Sequence, residues 1–410
     1  MDCIKQYFAS HFSGMRLTDL LVAMVVVLKV ATGSVSAEPQ QNCVDCHRQT
    51  NKTMVLAWQE SRHAAVGVGC ADCHGDNHST IFNAKGKVSA AKCGNCHAQQ
   101  VNEFNRSLHA EAIDRMESDP KFKRLSPAMA GQGCVSCHKI GEHFADGSRG
   151  SCNSCHSGHA FSVVEARRPE SCGGCHSGPD HPHIEMWQAS KHGQLYASEK
   201  TRAQSPTCVT CHMSRGSHDT SIGLGLGNVG TGAALDTEET SVQMRSISAE
   251  EVKKQRSLML ANCLTCHSSR FASESLASAD LVKKEADSVL GEAAGVINQL
   301  QSESLIKWLA STSPSVAKPN SPDRQGAAAA TSKKSQSSKP LPGTEMPYDG
   351  LSPIEQRFFE MVKFHHASTF KGAYHHSPVF THNEGFLRMQ QDLSDIKDKA
   401  EHLRNQARKP

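Results

Sequence analysis

The sequence predicts a mainly α-helical chain whose core is filled by something other than its own side chains, followed by C-terminal long helices. Hydrophobic residues make up 38% and aromatic residues 5% of 410 residues, too little to fill the two or three cores usual at this length. Most of the 17 cysteines and 24 histidines fall between residues 43 and 267. Long apolar patterns of helical period begin only after that region.

The charge balance gives no support for a polyanionic partner. The chain has 44 Lys and Arg against 41 Asp and Glu, which leaves a formal charge of +3. A broad basic surface cannot be built from so small an excess, so nucleic acid is not an expected partner.

Residues 1–37 have the pattern of a secretory signal. Basic residues precede an apolar run from Leu20 to Leu28, and small residues at 35–37 offer a cleavage site. We therefore expect export to the periplasm and loss of Cys3 with the signal. The alternative is an uncleaved membrane anchor, but Lys29 leaves the run short of the roughly 20 apolar residues that a span needs.

The other 16 cysteines form eight Cys-x-x-Cys pairs: Cys43 and Cys46, Cys70 and Cys73, Cys93 and Cys96, Cys134 and Cys137, Cys152 and Cys155, Cys172 and Cys175, Cys208 and Cys211, and Cys263 and Cys266. Each pair is followed at once by a histidine: His47, His74, His97, His138, His156, His176, His212 and His267. In such a segment the two thiols bind one haem as thioethers, and the imidazole binds its iron from the proximal side. Disulfide scaffolds and zinc ribbons also use paired cysteines, but neither requires that histidine. The sequence therefore predicts eight covalently bound haem c groups (iron).

The eight segments are close together in the chain. They occupy residues 43–267, about 28 residues for each haem. Conventional α/β domains do not fit between them, so the porphyrins themselves must form the hydrophobic core. We therefore predict a multihaem cytochrome c with a haem-filled core over residues 38–275, in which neighbouring haems pass electrons to one another.

Fifteen of the remaining histidines are available as second iron ligands. A haem with two imidazole ligands only transfers electrons, whereas an open distal face can bind substrate. Six histidines in polar turns or short helices beside a motif are predicted distal ligands, with surface or propionate-binding roles as the alternative: His63, His78, His109, His159, His192 and His218. A seventh is expected from a second group, within which we assign His375: His365, His366, His375 and His376. His143 is a competitor.

Three segments carry a resemblance to a known family. They are Gly131-Gln-Gly-Cys-Val-Ser-Cys-His138, Cys172-Gly-Gly-Cys-His-Ser-Gly-Pro-Asp-His181 and Glu185-Met-Trp-Gln-Ala-Ser-Lys-His192-Gly. Together with the order of the eight motifs, they closely resemble the octahaem hydroxylamine oxidoreductase family over about residues 40–310 and 350–406. The resemblance implies a homotrimer that acts on a small nitrogenous substrate. It also suits a redox partner that is a cytochrome or a membrane quinol dehydrogenase.

The resemblance further implies where chemistry occurs. In that family the fourth haem is catalytic, which corresponds here to the haem of Cys134, Cys137 and His138. The family's distal acid/base pair maps onto Asp180 and His181. Interconversion of hydroxylamine, nitric oxide and nitrite moves protons with electrons, and a carboxylate beside an imidazole is a suitable relay. The alternative is a turn that carries a distal haem ligand.

One departure from the family bears on the direction of reaction. Hydroxylamine-oxidising members cross-link a tyrosine of a neighbouring subunit to the catalytic haem, within a Pro-x-Tyr-Thr segment. Here Phe380 takes that place, and Tyr374, six residues earlier, does not align with it. Ser275 also stands where a family tyrosine is expected. Members without the cross-link look like reductases, so nitrite or hydroxylamine reduction is expected to outrun hydroxylamine oxidation. The alternatives are a non-enzymatic electron conduit and a sulfur-oxyanion reductase.

The C-terminal third predicts helices that pack on helices. A seam of alternating 4 and 3 spacing marks a long packing helix over 276–310: Val282, Ala286, Val289, Ala293, Val296 and Leu300. Residues 311–346, rich in Ser, Pro, Ala and Lys, predict a disordered linker.

Residues 347–410 predict a C-terminal helical segment that serves as a stem for oligomerisation or packs within the chain. It opens with a capping box, Ser352-Pro353-Ile-Glu355. His365 shares a helix face with Phe358, as a core histidine or a haem contact. A second seam follows: Phe386, Met389, Leu393, Ile396, Ala400 and Leu403.

Overall fold

The computed structural model describes residues 38–119, 122–179, 181–200, 202–221, 249–306 and 351–408. The predicted signal (1–37), the predicted linker (311–346) and Asp180 lie outside these ranges. The chain forms two compact units, residues 1–88 and 89–410. Across the described ranges, every helix is too short or too polar to cross a membrane.

The first unit consists of short helices: Glu38–Thr50, Lys52–Gln59, Arg62–Ala65, Cys70–His74 and His78–Asn83. Three of them begin at a side-chain cap, with Asn51, Ser61 and Asn77 accepting hydrogen bonds from backbone N–H groups three residues on. Such caps satisfy the free N–H groups that a short helix cannot bond internally. The unit is therefore built from helices of one to four turns, three of which are capped locally at their N-terminal ends.

The motif-bearing part of the second unit has the same character. Its α-helices are Ala90–Gly94, Ala98–Phe104, Ala112–Ser118, Pro127–Met129, Ser136–His138, Val163–Ala166, Pro169–Gly173, His183–Ala189, Lys191–Ala197 and Cys208–His212. Its 3-10 turns are Leu108–Glu111, Phe122–Arg124, Lys139–Gly141, Cys152–Ser154, Arg202–Gln204 and Ser214–Gly216, and Ala130–Val135 is a π-helical turn. Only one isolated antiparallel bridge, between His143 and Arg149, occurs among the described residues. The expected mainly α fold is confirmed.

The longer helices lie in the last part of the described chain: the first ends at Cys263, the first cysteine of the last motif, and the others follow that motif. They are α1 (Ala249–Cys263), α2 (Ser269–Ser302), α3 (Pro353–Glu360), α4 (Ala367–Tyr374) and α5 (Leu387–Ala407). Helices α3 and α4 are joined by the π-helical turn Met361–His366, and α4 leads to α5 through the π-helical segment Val379–Phe386. The predicted capping box is present, since the backbone N–H of Ser352 donates to Glu355 Oε2 at 2.8 Å.

The two predicted seams pack on each other within the chain. One apolar cluster joins α2, α3 and α5 and includes Ala293, Ile297, Phe358, Met389 and Ile396. On α2 the buried line lies one position beyond much of the predicted seam, because Leu290 and Ile297 are buried while Val289 and Val296 only border the cluster. The spacing of the apolar residues therefore predicts the helix correctly, but it does not predict which side of the helix faces the core.

Most of the buried hydrophobic side chains lie in the C-terminal part of the chain, after residue 249. Of the 28 buried hydrophobic residues in the described ranges, only seven come from the part before residue 222, which holds seven of the eight motifs: Val44, Val55, Ala90, Ala110, Met116, Met186 and Val209. The other 21 lie between Met259 and Ala400. The motif-bearing part is thus a shell of turns with few apolar side chains to hold it together, as expected if haems form its core.

Candidate haem sites and the fourth motif

The Cys-x-x-Cys-His segments fold as single helical turns. In four of them the histidine N–H donates to the carbonyl of the first cysteine at 2.8–3.0 Å: His97 to Cys93, His156 to Cys152, His176 to Cys172 and His267 to Cys263. Residues i, i+3 and i+4 of a helix share one face. One turn therefore directs both thiols and the imidazole to the same side, which is the arrangement that a haem c group needs.

The sixteen described cysteines are all free, so the structure contains no disulfide scaffold in its described ranges. Within the same ranges no group of three or more His, Cys, Asp or Glu side chains is arranged to hold a metal ion, as a zinc ribbon would require. The donor set of each motif, two thiols and one imidazole, fits a haem c instead.

Five motif histidines face a second imidazole across a gap. A metal–imidazole bond is about 2 Å long, so two imidazoles on opposite sides of one ion have ring centroids about 6 Å apart. The centroids are 6.2 Å apart for His47 and His78, 5.9 Å for His176 and His109, 6.3 Å for His156 and His218, 6.1 Å for His267 and His192, and 6.2 Å for His212 and His375. The five second partners all belong to the predicted distal set. Of that set, His63 lies in the helix Arg62–Ala65 and His159 in a turn at φ +74°.

Hydrogen bonds orient several of these rings. The Nδ1–H of His138 donates to the carbonyl of Ala112 at 2.8 Å, and that of His375 donates to the carbonyl of Lys371, also at 2.8 Å. His218 makes the same contact with Gly216 at 3.0 Å. A proton fixed on Nδ1 leaves Nε2 as the free lone pair, which is the form that binds iron.

Attachment sites of different motifs touch one another in a defined order. In the first unit Cys43 contacts Cys70. In the second unit the side chains of Cys93 and Cys152, of Cys172 and Cys208, and of Cys137 and Cys175 lie within hydrogen-bonding reach of each other. Cys155 lies close to Cys172. The side chain of Asn262 donates to the carbonyl of Cys211 at 3.1 Å and joins the last two motifs. Neighbouring motifs thus contact one another in a series that runs from the third through the fifth, sixth and seventh to the eighth. The fourth motif lies outside this series and contacts the sixth.

The fourth motif differs in its surroundings from the five motifs whose histidine faces a second imidazole. Among the described residues no second histidine ring faces His138 at the distance seen in the five pairs. The thiol of Cys137 lies 4.0 Å from the carbonyl of Gly174, so this motif sits against the segment that leads to His181. His181 itself is exposed, and its N–H donates to the carbonyl of Gly178 at 3.2 Å. Asp180 lies outside the described residues.

Glu185 holds the turn that carries His181. Its Oε1 accepts a hydrogen bond from the N–H of Gly178 at 2.9 Å, and Gly178 adopts φ +77°, which favours glycine. The other oxygen, Oε2, is buried without a hydrogen-bond partner in the described part of the chain. The loop is therefore fixed from behind by a carboxylate while His181 faces solvent.

Three of the other candidate histidines have acidic partners. His365 Nδ1 lies 2.5 Å from Asp392 Oδ2, and His366 Nε2 lies 2.7 Å from Asp287 Oδ1. His143 Nε2 lies 2.8 Å from Asp114. His376 is 6.4 Å from the ring of His192, at φ +54°. Within the second group, His375 is thus the histidine that faces a motif imidazole, and His365 is a core histidine paired with a buried acid.

Tyr374 does not take the role of the missing tyrosine. Its hydroxyl donates to Asp280 Oδ1 at 2.7 Å, and Asp280 also accepts from Arg256 at 3.0 and 2.7 Å. Burial, and then the bond to Asp280, raise the pKa of this phenol. Phe380 lies in the π-helical segment, packed so closely that a Cβ on Gly372 would come within 3.0 Å of its Cβ.

Sequence reasoning missed one buried histidine in this region. His183 begins the helix His183–Ala189, and its Nδ1 lies 3.2 Å from Nδ1 of His176. Burial first, and then Lys371 and neighbouring histidines, lower its pKa. Its position seven residues after a motif histidine was the only sequence signal for it.

Known proteins share these features. A family model described as "seven times multi-haem cytochrome CxxCH" matches residues 122–314, and one described as "cytochrome c554 and c-prime" matches residues 8–75. The chain is 28% identical, over 457 positions that cover 90% of it, to a probable nitrite reductase-hydroxylamine oxidoreductase fusion protein of Kuenenia stuttgartiensis. It spans about half of that protein's length, 52%.

Two solved structures share the fold. One is a chain of a reducing HAO-like protein complex of Kuenenia stuttgartiensis, with a TM-score of 0.68, 24% identity and coverage of 90% of this chain and 86% of that one. The other is a hypothetical multiheme protein, with a TM-score of 0.67, 18% identity and coverage of 93% and 98%. The single-turn motifs, the facing imidazoles and the matching families lead to one conclusion. The chain is a multihaem cytochrome c with covalently bound haem c, related to the hydroxylamine oxidoreductase-like proteins.

Proposed function

We propose that this protein is an exported, periplasmic octahaem oxidoreductase that converts small nitrogen compounds at the haem of its fourth motif. The observation that carries the proposal is the contrast between His138 and the five motif histidines that face a second imidazole. A haem held by His138 alone would have a free face for substrate, whereas a haem held between two imidazoles would be suited only to electron relay. The fusion protein of Kuenenia stuttgartiensis, by its name, supports hydroxylamine or nitrite as the substrate.

Chain residues supply orientation and protons around that haem. The carbonyl of Ala112 holds His138 with its Nε2 lone pair free. His181, exposed on a loop anchored by Glu185, exchanges protons with solvent and with the substrate, and Asp180 is its proposed partner. When bound, the haem supplies the iron and the electrons. The contact between Cys137 and Cys175 makes the sixth haem the nearest source or acceptor of those electrons.

We propose that reduction is the favoured direction. Phe380 has no hydroxyl to form the cross-link found in hydroxylamine-oxidising proteins, and Tyr374 is held by Asp280. A haem held here would lack the distortion that the cross-link imposes, and it would then be expected to donate electrons more readily. A homotrimer, with a cytochrome or a quinol dehydrogenase as partner, stays a prediction.

Spectroscopy of the purified protein tests the open site. We expect one of eight ferric haems to give a high-spin electron paramagnetic resonance signal and the other seven to be low-spin. An entirely low-spin spectrum would overturn the enzyme proposal and favour an electron conduit.

Steady-state assays of the His181→Ala variant test the site residue. Because this variant loses a positioned proton donor, we expect its turnover of nitrite or hydroxylamine to fall by roughly 10²–10⁴-fold. The exposed His402→Ala variant, with the same change far along α5, is expected to keep full activity. Hydroxylamine oxidation faster than nitrite and hydroxylamine reduction would contradict the proposed direction. Turnover of sulfite alone would point to a sulfur-oxyanion reductase.

A further inference from the structure

His176 has an unusual neighbour at its Nδ1. His138 donates from Nδ1 to a backbone carbonyl, as do the distal histidines His375 and His218. His176 instead has the Nδ1 of His183 at 3.2 Å, with the two rings at 63° and their centroids 5.2 Å apart. The acceptor beside this ligand is therefore a side chain, which a substitution can remove without touching the backbone.

The backbone fixes His183 in this place. The N–H of the next residue, Ile184, donates to the carbonyl of His176 at 3.0 Å, and the N–H of His183 donates to the carbonyl of His181 at 2.7 Å. Gly173 allows close approach, because a Cβ there would lie 3.1 Å from Ile184. The helix that starts at His183 is thus tied directly to the sixth motif.

The direction of the hydrogen bond follows from the ligand chemistry. His176 faces His109 across a centroid distance of 5.9 Å, so its Nε2 is the iron-binding nitrogen and its Nδ1 carries the proton. His183 must then accept through Nδ1 and keep its own proton on Nε2.

We propose that His183 is a positioning residue that sets the reduction potential of the sixth haem by accepting a hydrogen bond from its proximal ligand, His176. An acceptor on the far nitrogen of a ligating imidazole makes that ligand more basic. A more basic ligand stabilises the ferric state and lowers the potential of that haem. The sixth motif contacts the fourth, seventh and, through Cys155, the fifth, so this haem stands where electrons reach the proposed active site.

The test compares two variants of the full-length holoprotein. His183→Leu removes the acceptor, while His183→Asn keeps an oxygen near the position of Nδ1. We expect a potentiometric titration followed by electron paramagnetic resonance to show a positive shift in the midpoint potential of one haem in His183→Leu. The Asn variant should restore most of the wild-type value. The g-values of the same low-spin signal should move in step with the shift.

Two controls keep the outcome interpretable. His402→Leu, on the exposed face of α5, makes the same change away from any motif and should leave every potential unchanged. Haem content per chain, measured for each variant, shows whether His176 still holds its haem. The inference requires only that His176 is an iron ligand. If the wild type showed no high-spin signal, the proposed enzymatic function would be contradicted, but the inference about His183 would not be affected. Unchanged potentials in His183→Leu, or equal shifts in the Leu and Asn variants, would overturn the inference.

Discussion

Single residues explain how the distal histidines are held in place. His192 belongs to the helix Lys191–Ala197, whose N-cap Ser190 accepts from the N–H of Gly193 at 3.2 Å. Gly193 is buried, and a Cβ there would lie 2.2 Å from the carbonyl oxygen of Trp187. No side chain fits in that space, so the glycine after His192 permits the close turn that brings His192 to 6.1 Å from His267.

The Gly193→Ala variant should therefore lose both stability and one axial ligand. We expect about 1–3 kcal/mol of destabilisation from the overlap with Trp187. Displacement of His192 should convert one low-spin haem to high-spin. Gly295→Ala, in an exposed and open position on α2, is the control and should stabilise the fold by about 0.4–1 kcal/mol. Denaturant unfolding and electron paramagnetic resonance measure the two effects, and an unchanged spectrum in Gly193→Ala would contradict the proposed role of His192.

At the scale of elements, a buried charged triad ties α2 to the π-helical turn Met361–His366. Lys283 Nζ lies 2.6 Å from Asp287 Oδ2, and His366 Nε2 lies 2.7 Å from Asp287 Oδ1. The Lys283 side chain is only 3% exposed, and that of Asp287 10%. Burial raises the pKa of Asp287, but its bonds to His366 and Lys283 outweigh that effect and lower the pKa overall. Asp287 is therefore ionised and central to this contact.

The Asp287→Asn variant should be strongly destabilised, because it leaves Lys283 buried without a counter-charge. Loss of one partner from a buried ion pair costs about 3–5 kcal/mol. In the wild type, a depressed carboxyl pKa stabilises the fold above the unfolded value of about 4, and this stabilisation is lost as the pH falls below it. Glu292, also on α2, forms an exposed ion pair with Lys397 of α5. The Glu292→Gln variant removes the acid of this pair and should cost at most about 1 kcal/mol. Equal costs in urea unfolding for the two variants would contradict the importance of burial.

The molecule as a whole has two kinds of interior. The region before residue 222 contributes seven buried hydrophobic residues, and the region from 249 onward contributes the other 21 in the described ranges. Apolar burial is the main driving force of folding, so the motif-bearing part needs another apolar component to be stable. Haem attachment is therefore expected to be part of its folding, as metal binding is in small metalloproteins.

A chain produced without haem attachment should accordingly be folded in one part only. We expect limited proteolysis to cut within residues 38–221 while segments of 249–306 and 351–408, which share the apolar cluster of α2, α3 and α5, are protected. Far-UV circular dichroism should show a matching partial loss of helix. The holoprotein treated with the same protease is the control, and protection of residues 38–221 without haem would show that side chains alone suffice.

The sequence by itself determined the covalent chemistry. The order Cys-x-x-Cys-His specifies haem attachment because the two thiols and the imidazole share one helical face, whatever the surroundings. It also specified the helical character of the C-terminal third and the capping box at Ser352, since capping and periodicity are local properties.

Only the tertiary structure decided which side chains meet. His365, His366, His375 and His376 are close in sequence, yet one faces a motif imidazole and two face buried acids. The rotation of α2, the attachment of the fourth motif to the sixth and the contact of His183 with His176 are likewise contacts between distant or oppositely facing segments. Spacing along a chain specifies a face of a helix, but the partner of that face depends on how all the elements pack.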